Sequence, residues 1–424
     1  KNNPPPPPKE EAGTAGQVRL STQYNWNLGL SGTRRTGTQI SAQFANSRSD
    51  STLGTAVAPL LYRSNLILNV SQPLLRGFAI DGRIQWAGVL RADFDSESAK
   101  ETGRLRAMMT VRSAEDAYWT LVESWKGYEV SQGALELAEK QLELTRRQIG
   151  AGVLPESDLI NVEGTLAQRQ VALLRTEAQI DAAADVLRTL MNLPAADWDR
   201  PILPLDAPSF VHVDLPIELA MTRAQDARPE LKQSRIELRQ IALDLEVARN
   251  RRLPQLSLQG GVGTVGQDAD YGKALEQAGN GSSFQWNVGM DFSWAPLGID
   301  ARAAVRRMES ALRTNGLSRE KLLVEIRAQL RGALRSIDTA QRQLYAAAKA
   351  RDLSERSLDV EQRRFLNGMS NNFMVAQRQS DVAQARLAEL SALIQHEKAR
   401  SELQLAMGDL LESRRLNFQV RMHK

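Results

Sequence analysis

The chain of 424 residues carries a formal net charge of +4, with acidic and basic residues interleaved along its length. A charge this small and this evenly spread gives no reason to expect nucleic acid as a partner. Cysteine is absent, which excludes disulfides, thiolate catalysis and cysteine-ligated metal sites.

The N-terminal segment, residues 1–16, is predicted to be a proline-rich loop at a truncated start. Five consecutive prolines begin at Pro4, and no apolar segment of the kind found in secretory signals is present. Any such signal is expected to have been removed or to lie upstream. The sequence also lacks a run of about 18 apolar residues, so no transmembrane helix is predicted.

Residues 17–76 are predicted to form a first pair of strands with one apolar and one polar face. Apolar side chains alternate with polar ones in two stretches, from Leu20 to Leu30 and from Leu66 to Val70. A period of two is typical of a β-strand that is exposed on one side.

Residues 77–194 are predicted to form a long helical hairpin. Proline breaks helix interiors, and none occurs between Pro73 and Pro155. At about 1.5 Å per residue, a helix from near Arg83 to Ile149 would be roughly 100 Å long. Its apolar residues recur seven apart, as in helices that pack along a coiled-coil seam. They are Leu121, Tyr128, Leu135, Leu142 and Ile149.

The rest of the chain repeats the order of strands and helices. A segment from Phe284 to Trp294 alternates apolar and polar side chains, and a helix is expected from Ile217 to Arg252. The predicted regions are a linker with this helix (195–254), a second strand pair (255–296), a second long helical hairpin (297–412) and a tail (413–424).

An internal duplication explains this repeated order. Shifted by 216 positions, the segment from Ala117 to Leu193 aligns with the segment from Ala333 to Asp409 without a gap. In each copy a helix runs into a glycine-containing turn and a second helix returns. Identical pairs include Arg147 with Arg363, Gly152 with Gly368 and Met191 with Met407.

The strands favour an outer-membrane barrel, because lipid contacts one side of such strands and water the other. Two strand pairs supply four strands, fewer than the roughly eight strands of the smallest closed membrane barrels. An open sheet edge is not tolerated in lipid, so several copies are predicted to assemble and close one sheet.

Other interpretations explain less of the sequence. A soluble sheet would alternate equally well, and a cytoplasmic coiled-coil scaffold would explain the helices but not the strands. A soluble enzyme is disfavoured because His212, His396 and His423 have no carboxylate pair or serine beside them in the sequence. The Gly260–Gly263 segment lacks the lysine and the following helix of a phosphate loop. No catalytic residue, cofactor or metal is predicted.

At these positions the chain resembles the TolC-like outer-membrane factor family over nearly its whole length. The shared features are the duplicated order of strand pair and helical hairpin, the segment from Ser71 to Phe78 between strand and helix, and the two tips. The first tip runs from Arg147 to Leu154 and is followed by Asp158, and the second runs from Arg363 to Ser370.

The resemblance implies an α+β membrane protein, a homotrimer in which a 12-stranded β-barrel stands on an α-helical barrel. The β-barrel would lie in the outer membrane of a Gram-negative bacterium, and the helices in the periplasm. Such a trimer is the exit duct of an efflux pump or a type I secretion system. Its partners would be a periplasmic adaptor (a membrane fusion protein) and, through it, an inner-membrane ABC or RND pump. A non-conducting periplasm-spanning scaffold is the alternative.

The resemblance also implies roles for individual residues. Adaptor docking is expected at the tips, at Arg147, Gly150, Gly152, Val153, Leu154, Asp158, Arg363, Gly368, Met369 and Ser370. The pore entrance is expected at Met374 and Gln377. Contact with lipid is expected of Tyr24, Trp26, Phe284, Trp286, Phe292 and Trp294.

One departure from the family concerns the pore entrance. Better-known members carry two acidic residues just after the second tip, where this chain has Met374 and Gln377. The lock between helices in such members joins an aspartate, matched by Asp158, to an arginine and a tyrosine. This chain has Ser370 and Phe365 at those two positions. A gate that is held differently and a weaker selectivity for cations are therefore expected.

Overall fold

The computed structural model describes residues 21–51, 60–152 and 155–416. The chain divides into two compact units, each assembled from separate stretches of sequence. The first unit comprises residues 1–95 and 237–314, and the second comprises 96–236 and 315–424. The predicted N-terminal loop, residues 1–16, and most of the predicted tail lie outside the described residues.

The first unit contains one antiparallel sheet with the strand order β1-β2-β3-β4-β5. An antiparallel sheet and long helices in one chain confirm the predicted α+β class. The strands are β1 (Ser21–Thr33), β2 (Gln39–Ser51), β3 (Leu60–Pro73), β4 (Gln255–Asp268) and β5 (Phe284–Ser293).

The prediction of four strands in two pairs was wrong, because β2 was missed. This strand lies between the two stretches that were predicted to pair with each other, and it is hydrogen-bonded to both β1 and β3. Gly260–Gly263, considered above as part of a loop, lies within β4.

The register gives the sheet two chemically different faces. Trp26 lies opposite Asn46, Phe44 opposite Leu66, and Val262 opposite Trp286. Successive side chains of a strand point to opposite faces, and in every strand pair even-numbered residues lie opposite even-numbered residues. One face therefore carries the even-numbered side chains of all five strands.

Four of the described helices are longer than about 30 residues, and the others are shorter. In chain order the helices are α1 (Ala87–Gly150), α2 (Ser157–Met191), α3 (Ile217–Ala227), α4 (Pro229–Arg251), α5 (Tyr271–Gly279), α6 (Ile299–Leu366), α7 (Asn372–Met407) and α8 (Leu410–Ser413), with a short 3-10 helix at Ala195–Asp197. Within the described ranges, no helix offers a stretch that is both long and apolar enough to cross a membrane.

The single helix expected from Ile217 to Arg252 is in fact two helices, α3 and α4. Arg228 between them has an extended backbone, with φ −65° and ψ 124°. Pro229 causes the break, because the proline ring disfavours the helical conformation of the residue before it.

The core of the second unit is aliphatic and small-residue-rich. Ile326, Leu330 and Ile337 of α6 pack with Leu403 of α7 and with α3. A second cluster joins Leu121 of α1 to α2. Leu121 is one of the residues of the predicted seven-residue repeat, so that part of the periodicity corresponds to packing.

The connection between α2 and α3 is held by both copies of the duplicated unit. The Trp125 indole donates a hydrogen bond to the Ile202 carbonyl at 3.1 Å. The Gln341 amide donates to the Val213 carbonyl at 3.0 Å. Trp125 and Gln341 are 216 positions apart, so equivalent positions of the two copies hold the two halves of this connection.

Candidate functional site

The first candidate site is the even-numbered face of the sheet, called here the apolar face. Its aromatic and aliphatic side chains are exposed: Leu30 is 78% exposed and Trp286 is 70% exposed. The five strand residues predicted to contact lipid all lie on this face and are exposed, and Trp294 directly follows β5. They are Tyr24, Trp26, Phe284, Trp286 and Phe292.

The opposite face of the sheet is polar. Asn69 and Asn287 face each other across Gly261 of β4, and a Cβ at Gly261 would lie within 2.6 Å of the Asn69 amide oxygen. Glycine therefore lets the amide side chains of β3 and β5 approach over β4. Other residues of this face are Gln23, Asn25, Asn27, Gln43, Gln259, Gln285 and Asp291.

One end of the apolar face is bordered by aromatic and polar groups from α5. The Tyr271 ring lies 5.5 Å from the Trp26 ring and 5.7 Å from the Tyr62 ring. Gly266 allows this contact, because a Cβ there would overlap the backbone carbonyl of Ala274. Aromatic rings at the end of an apolar band are typical of the interfacial girdles of membrane proteins.

The second candidate site is the first helical tip, where α1 ends and α2 begins. Gly152 has a φ of +72°, the left-handed conformation in which glycine commonly follows the end of a helix. A Cβ at this position would meet no neighbour within 4 Å. Arg147 is exposed and pairs with Glu143 one turn earlier. Asp158 lies half-buried in the first turn of α2. Val153 and Leu154, predicted docking residues, lie outside the described residues.

The tip between α6 and α7 repeats this geometry. Gly368 also has a φ of +72°, and Arg363 pairs with Asp359 at 2.7 Å. The tip ends at Asn371, whose side chain accepts a hydrogen bond from the Met374 amide at 2.9 Å and caps α7. The glycine, the arginine and its acidic partner thus recur 216 positions apart.

Buried polar contacts join the two tips. The Asn372 amide donates to the Thr145 hydroxyl at 3.2 Å and also contacts Gln141 of α1. Thr145 and Asn372 are both buried. Within the second tip, the Ser370 hydroxyl donates a hydrogen bond to the buried Glu361. Sequence reasoning missed Glu361, Thr145 and Asn372, which carry these links.

The second tip also exposes apolar side chains. Met369, a predicted docking residue, is 64% exposed, and Leu366 and Phe373 beside it are similarly exposed. Leu366 and Phe373 were not among the predicted residues. The signal available in the sequence was their position next to Gly368, where a helix reversal leaves few neighbours to cover them.

The predicted pore-entrance residues lie in the first turns of α7. Gln377 is exposed and donates a hydrogen bond to Asp381 at 3.1 Å. Arg378 also pairs with Asp381, at 2.9 Å. Met374 is half-buried. The carboxylate that Gln377 contacts is therefore already paired with a cation.

The described residues show little that resembles catalytic chemistry. Within them, no three His, Asp or Glu side chains cluster as a metal site would need. His396 is fully buried beside the Phe210 ring at 5.1 Å, and burial lowers the pKa of its imidazole. His423 lies outside the described residues.

Comparison with known families gives a match in the second half of the chain. Residues 220–409 match the family model described as outer membrane efflux protein. A comparison with curated protein sequences finds no match. The family match agrees with the predicted outer-membrane location and with the predicted part in efflux.

Solved structures of outer-membrane channels share the fold. The outer-membrane channel OprN matches with a TM-score of 0.67 at 18% identity, over 92% of this chain and 81% of its own. CusC matches with a TM-score of 0.69 at 14% identity, over 92% and 83%. The Campylobacter jejuni CmeC outer membrane channel matches with a TM-score of 0.66 at 15% identity, over 92% and 78%. The resemblance to the TolC-like outer-membrane factor family, whose members are outer membrane efflux proteins, is thereby confirmed.

Proposed function

We propose that this protein is the subunit of a trimeric exit duct, which passes substrates from an inner-membrane pump through the outer membrane. The observation that carries the proposal is the sheet with an exposed apolar face and a polar face opposite. In a membrane barrel, lipid would contact the apolar face and water in the lumen would contact the polar face.

A single copy cannot complete this arrangement. Among the described residues its sheet ends at β1 and β5, and unpaired backbone groups at a sheet edge are costly in hydrocarbon. Closed cyclic symmetry supplies the missing partners by repeating the same edge contact around an axis. Three copies are the number that the family resemblance implies.

The helical tips are proposed as the docking surface for a periplasmic adaptor, which in turn contacts an ABC or RND pump. Exposed Leu366, Met369 and Phe373 provide apolar area, and exposed Arg147 and Arg363 provide charge. The duplication presents two related tips per subunit, so a trimer would offer six similar sites.

Substitutions of two neighbouring residues of β3 test whether the apolar face contacts lipid, because their side chains point to opposite faces of the sheet. Leu68 lies on the apolar face and Asn69 on the polar face. Arginine on a lipid-facing strand position costs about 2–4 kcal/mol at the bilayer midplane, whereas a lumen position tolerates charge. Leu68→Arg is expected to lower the amount of folded protein in outer membranes, and Asn69→Arg to leave that amount unchanged.

Planar-bilayer recordings of the purified protein test the duct itself. Discrete conductance steps are expected from the wild type, with a lower preference for cations in Asn69→Arg because each subunit adds a positive charge to the lumen. A protein that inserts normally but gives no steps, as wild type and as Asn69→Arg, would favour the scaffold alternative.

A further inference from the structure

A cavity of about 770 Å³ lies at one end of the sheet. At this end the chain passes from β3 towards α1, from α4 into β4 and from β5 into α6. The end of α4, the segments that follow β3 and β5, and the first turn of α6 line the cavity. All of these residues belong to the first unit, so the cavity is formed within one compact body.

Three arginines give the cavity a positive charge. Arg76 follows β3, Arg251 is the last residue of α4, and Arg252 comes directly after it. All three are exposed, and within the described part of the chain none of their guanidinium groups forms an ion pair. Asp300 is the one acidic residue among the described residues that line the cavity. The excess of positive charge favours an anionic ligand.

Exposed apolar side chains line the same cavity. Trp294, Leu297 and Ile299 are each more than half exposed. Trp294 directly follows β5, and Phe292 two residues earlier lies on the apolar face. The cavity is therefore continuous with that face. A free inorganic anion would leave these side chains uncovered, so a ligand that suits the whole cavity combines a negative charge with an apolar part.

The dimensions of the apolar face indicate where this cavity lies in a bilayer. Phe284 begins β5 and Trp294 follows its end, and ten steps of about 3.3 Å give roughly 33 Å along the strand. At a strand tilt of about 40°, this length corresponds to a height of ~25 Å, which matches the apolar band of a membrane barrel. Trp294 would then lie at one edge of the hydrocarbon, and the neighbouring arginines at the depth of the lipid headgroups.

We propose that this cavity binds the headgroup of an anionic phospholipid, in the leaflet on the side of the barrel where the helices begin. The arginines contact the lipid phosphate, and the acyl chains pass Trp294 and Leu297 towards the apolar face. Basic pockets at a membrane surface bind lipid headgroups in this way. The inference rests on the proposed duct, to which it adds a lipid partner.

The choice of arginine gives the proposal a specific consequence. A planar guanidinium can form two parallel hydrogen bonds with a phosphate, whereas a lysine ammonium acts as a point charge. Lipid affinity is therefore expected to fall in the order arginine, lysine, glutamine at these positions. A purely structural role of the arginines would not produce this order for an anionic lipid and leave a zwitterionic lipid unaffected.

Lipid retention by the purified full chain tests the inference. Arg76→Gln/Arg252→Gln removes two charges from the cavity, and Arg76→Lys/Arg252→Lys keeps them. Arg306→Gln/Arg313→Gln is the matched control, because it removes two exposed arginines of α6 that do not line the cavity. Each protein in non-ionic detergent is titrated with dioleoylphosphatidylglycerol, dioleoylphosphatidylcholine or sodium phosphate, and bound molecules are counted by native mass spectrometry. Circular dichroism and native gels verify folding and assembly.

The wild type and the control are expected to prefer phosphatidylglycerol to phosphatidylcholine. The glutamine variant should bind phosphatidylglycerol about thirtyfold more weakly, because each arginine near an anionic lipid surface contributes about fivefold in affinity. The lysine variant should lie between them, and it provides the comparison if the glutamine variant does not assemble. Equal phosphatidylglycerol affinity in the wild type and the substituted proteins would overturn the inference. Displacement of the lipid by an equal concentration of inorganic phosphate would also overturn it, because the ligand would then be a free anion.

Conductance in bilayers of phosphatidylcholine separates this inference from the proposed duct. The glutamine variant is expected to conduct as the wild type does, because the polar face of the sheet is unchanged. A conducting wild type without a preference for phosphatidylglycerol would reject the lipid site and leave the duct supported. A protein that selects phosphatidylglycerol but gives no conductance would reject the duct and leave the lipid site supported.

Discussion

At the scale of single residues, the two tips depend on glycines whose backbone conformation other residues rarely adopt. Gly152 and Gly368 both have a φ of +72°, whereas Gly150 is the last helical residue of α1. A Cβ would meet no neighbour at any of the three positions. Conformation, and not space, is therefore what distinguishes Gly152 and Gly368 from Gly150.

Gly368→Val is expected to weaken adaptor binding by about tenfold or more, because a β-branched residue in the left-handed region costs about 1–3 kcal/mol and displaces the tip. Trimer formation is expected to be unaffected. Co-purification with the adaptor measures the effect, with Gly133→Val in the interior of α1 as a control that adds the same side chain where a Cβ meets no neighbour and φ is not positive. Equal recovery of adaptor with both variants would contradict a docking role for the tip.

A buried histidine makes the stability of the helical unit depend on pH. Burial lowers the pKa of His396 in the folded protein, with Glu397, Arg400 and His212 as the charged or titratable groups around it. As the pH falls below the ordinary histidine pKa of 6.5, the unfolded chain binds a proton that folded His396 does not. The free energy of unfolding must therefore decrease with acidification.

His396→Leu is expected to reduce this acid sensitivity. The unfolding temperature of the wild type in detergent should fall between pH 7.5 and 5.5, and that of the variant should fall less, because a neutral side chain binds no proton in either state. Exposed His212 provides the control as His212→Leu, which should retain the wild-type decline. The same decline in all three proteins would show that His396 does not control it.

At the scale of elements, the junction between α3 and α4 is fixed by a buried cation. The Arg228 guanidinium donates to the Ala406 carbonyl near the end of α7 at 2.8 Å, and burial lowers its pKa. Gly408, with a φ of +83°, leaves room for the Arg228 backbone, since a Cβ there would lie 2.9 Å from its nitrogen. One side chain thus links the helix break to the C-terminal end of α7.

Arg228→Ala is expected to lower the free energy of unfolding by about 2 kcal/mol, the usual loss for a hydrogen bond to a charged group. Chemical denaturation followed by helix circular dichroism measures the change. Arg235→Ala removes an arginine from the adjoining helix α4 and should change the stability little. An equal effect of the two substitutions would contradict a special role for Arg228.

The elements also show how far the sequence determines the fold. The proline-free stretches predicted the long helices, since α1, α2, α6 and α7 all lie within such stretches. β2 was missed because Asn46 and Arg48 interrupt the apolar positions of its even-numbered face. The Ser64 hydroxyl donates to the Asn46 amide oxygen at 2.7 Å, and the Arg48 guanidinium lies over the Tyr24 and Tyr62 rings. Only the folded sheet brings these groups near.

The candidate sites were predictable to a similar extent. The duplication located both tips and their glycines, because a helix reversal leaves a local signal in the sequence. The buried contact between Thr145 and Asn372 was not predicted, because the two residues are 227 positions apart and lie on different helices. Local patterns carry no information about such pairing.

At the scale of the whole molecule, assembly places copies of the same residue in a ring around the symmetry axis. If three copies surround one entrance, each charge near Gln377 occurs three times around the pore. Asp381, one turn beyond, is paired with Arg378, so each subunit contributes little net charge there. The assembled wild type is therefore expected to discriminate weakly between cations and anions.

Met374→Asp combined with Gln377→Glu should create a ring of six unpaired carboxylates in a trimer, and cation preference should rise several-fold because the acidic side chains attract cations into the entrance. Divalent cations added on the tip side should then block conductance. The reversal potential across a salt gradient measures the preference, and the isosteric Gln377→Met substitution serves as the uncharged control. Strong block of the wild type by divalent cations would contradict the expectation, because it would require an acidic ring that Arg378 does not neutralise.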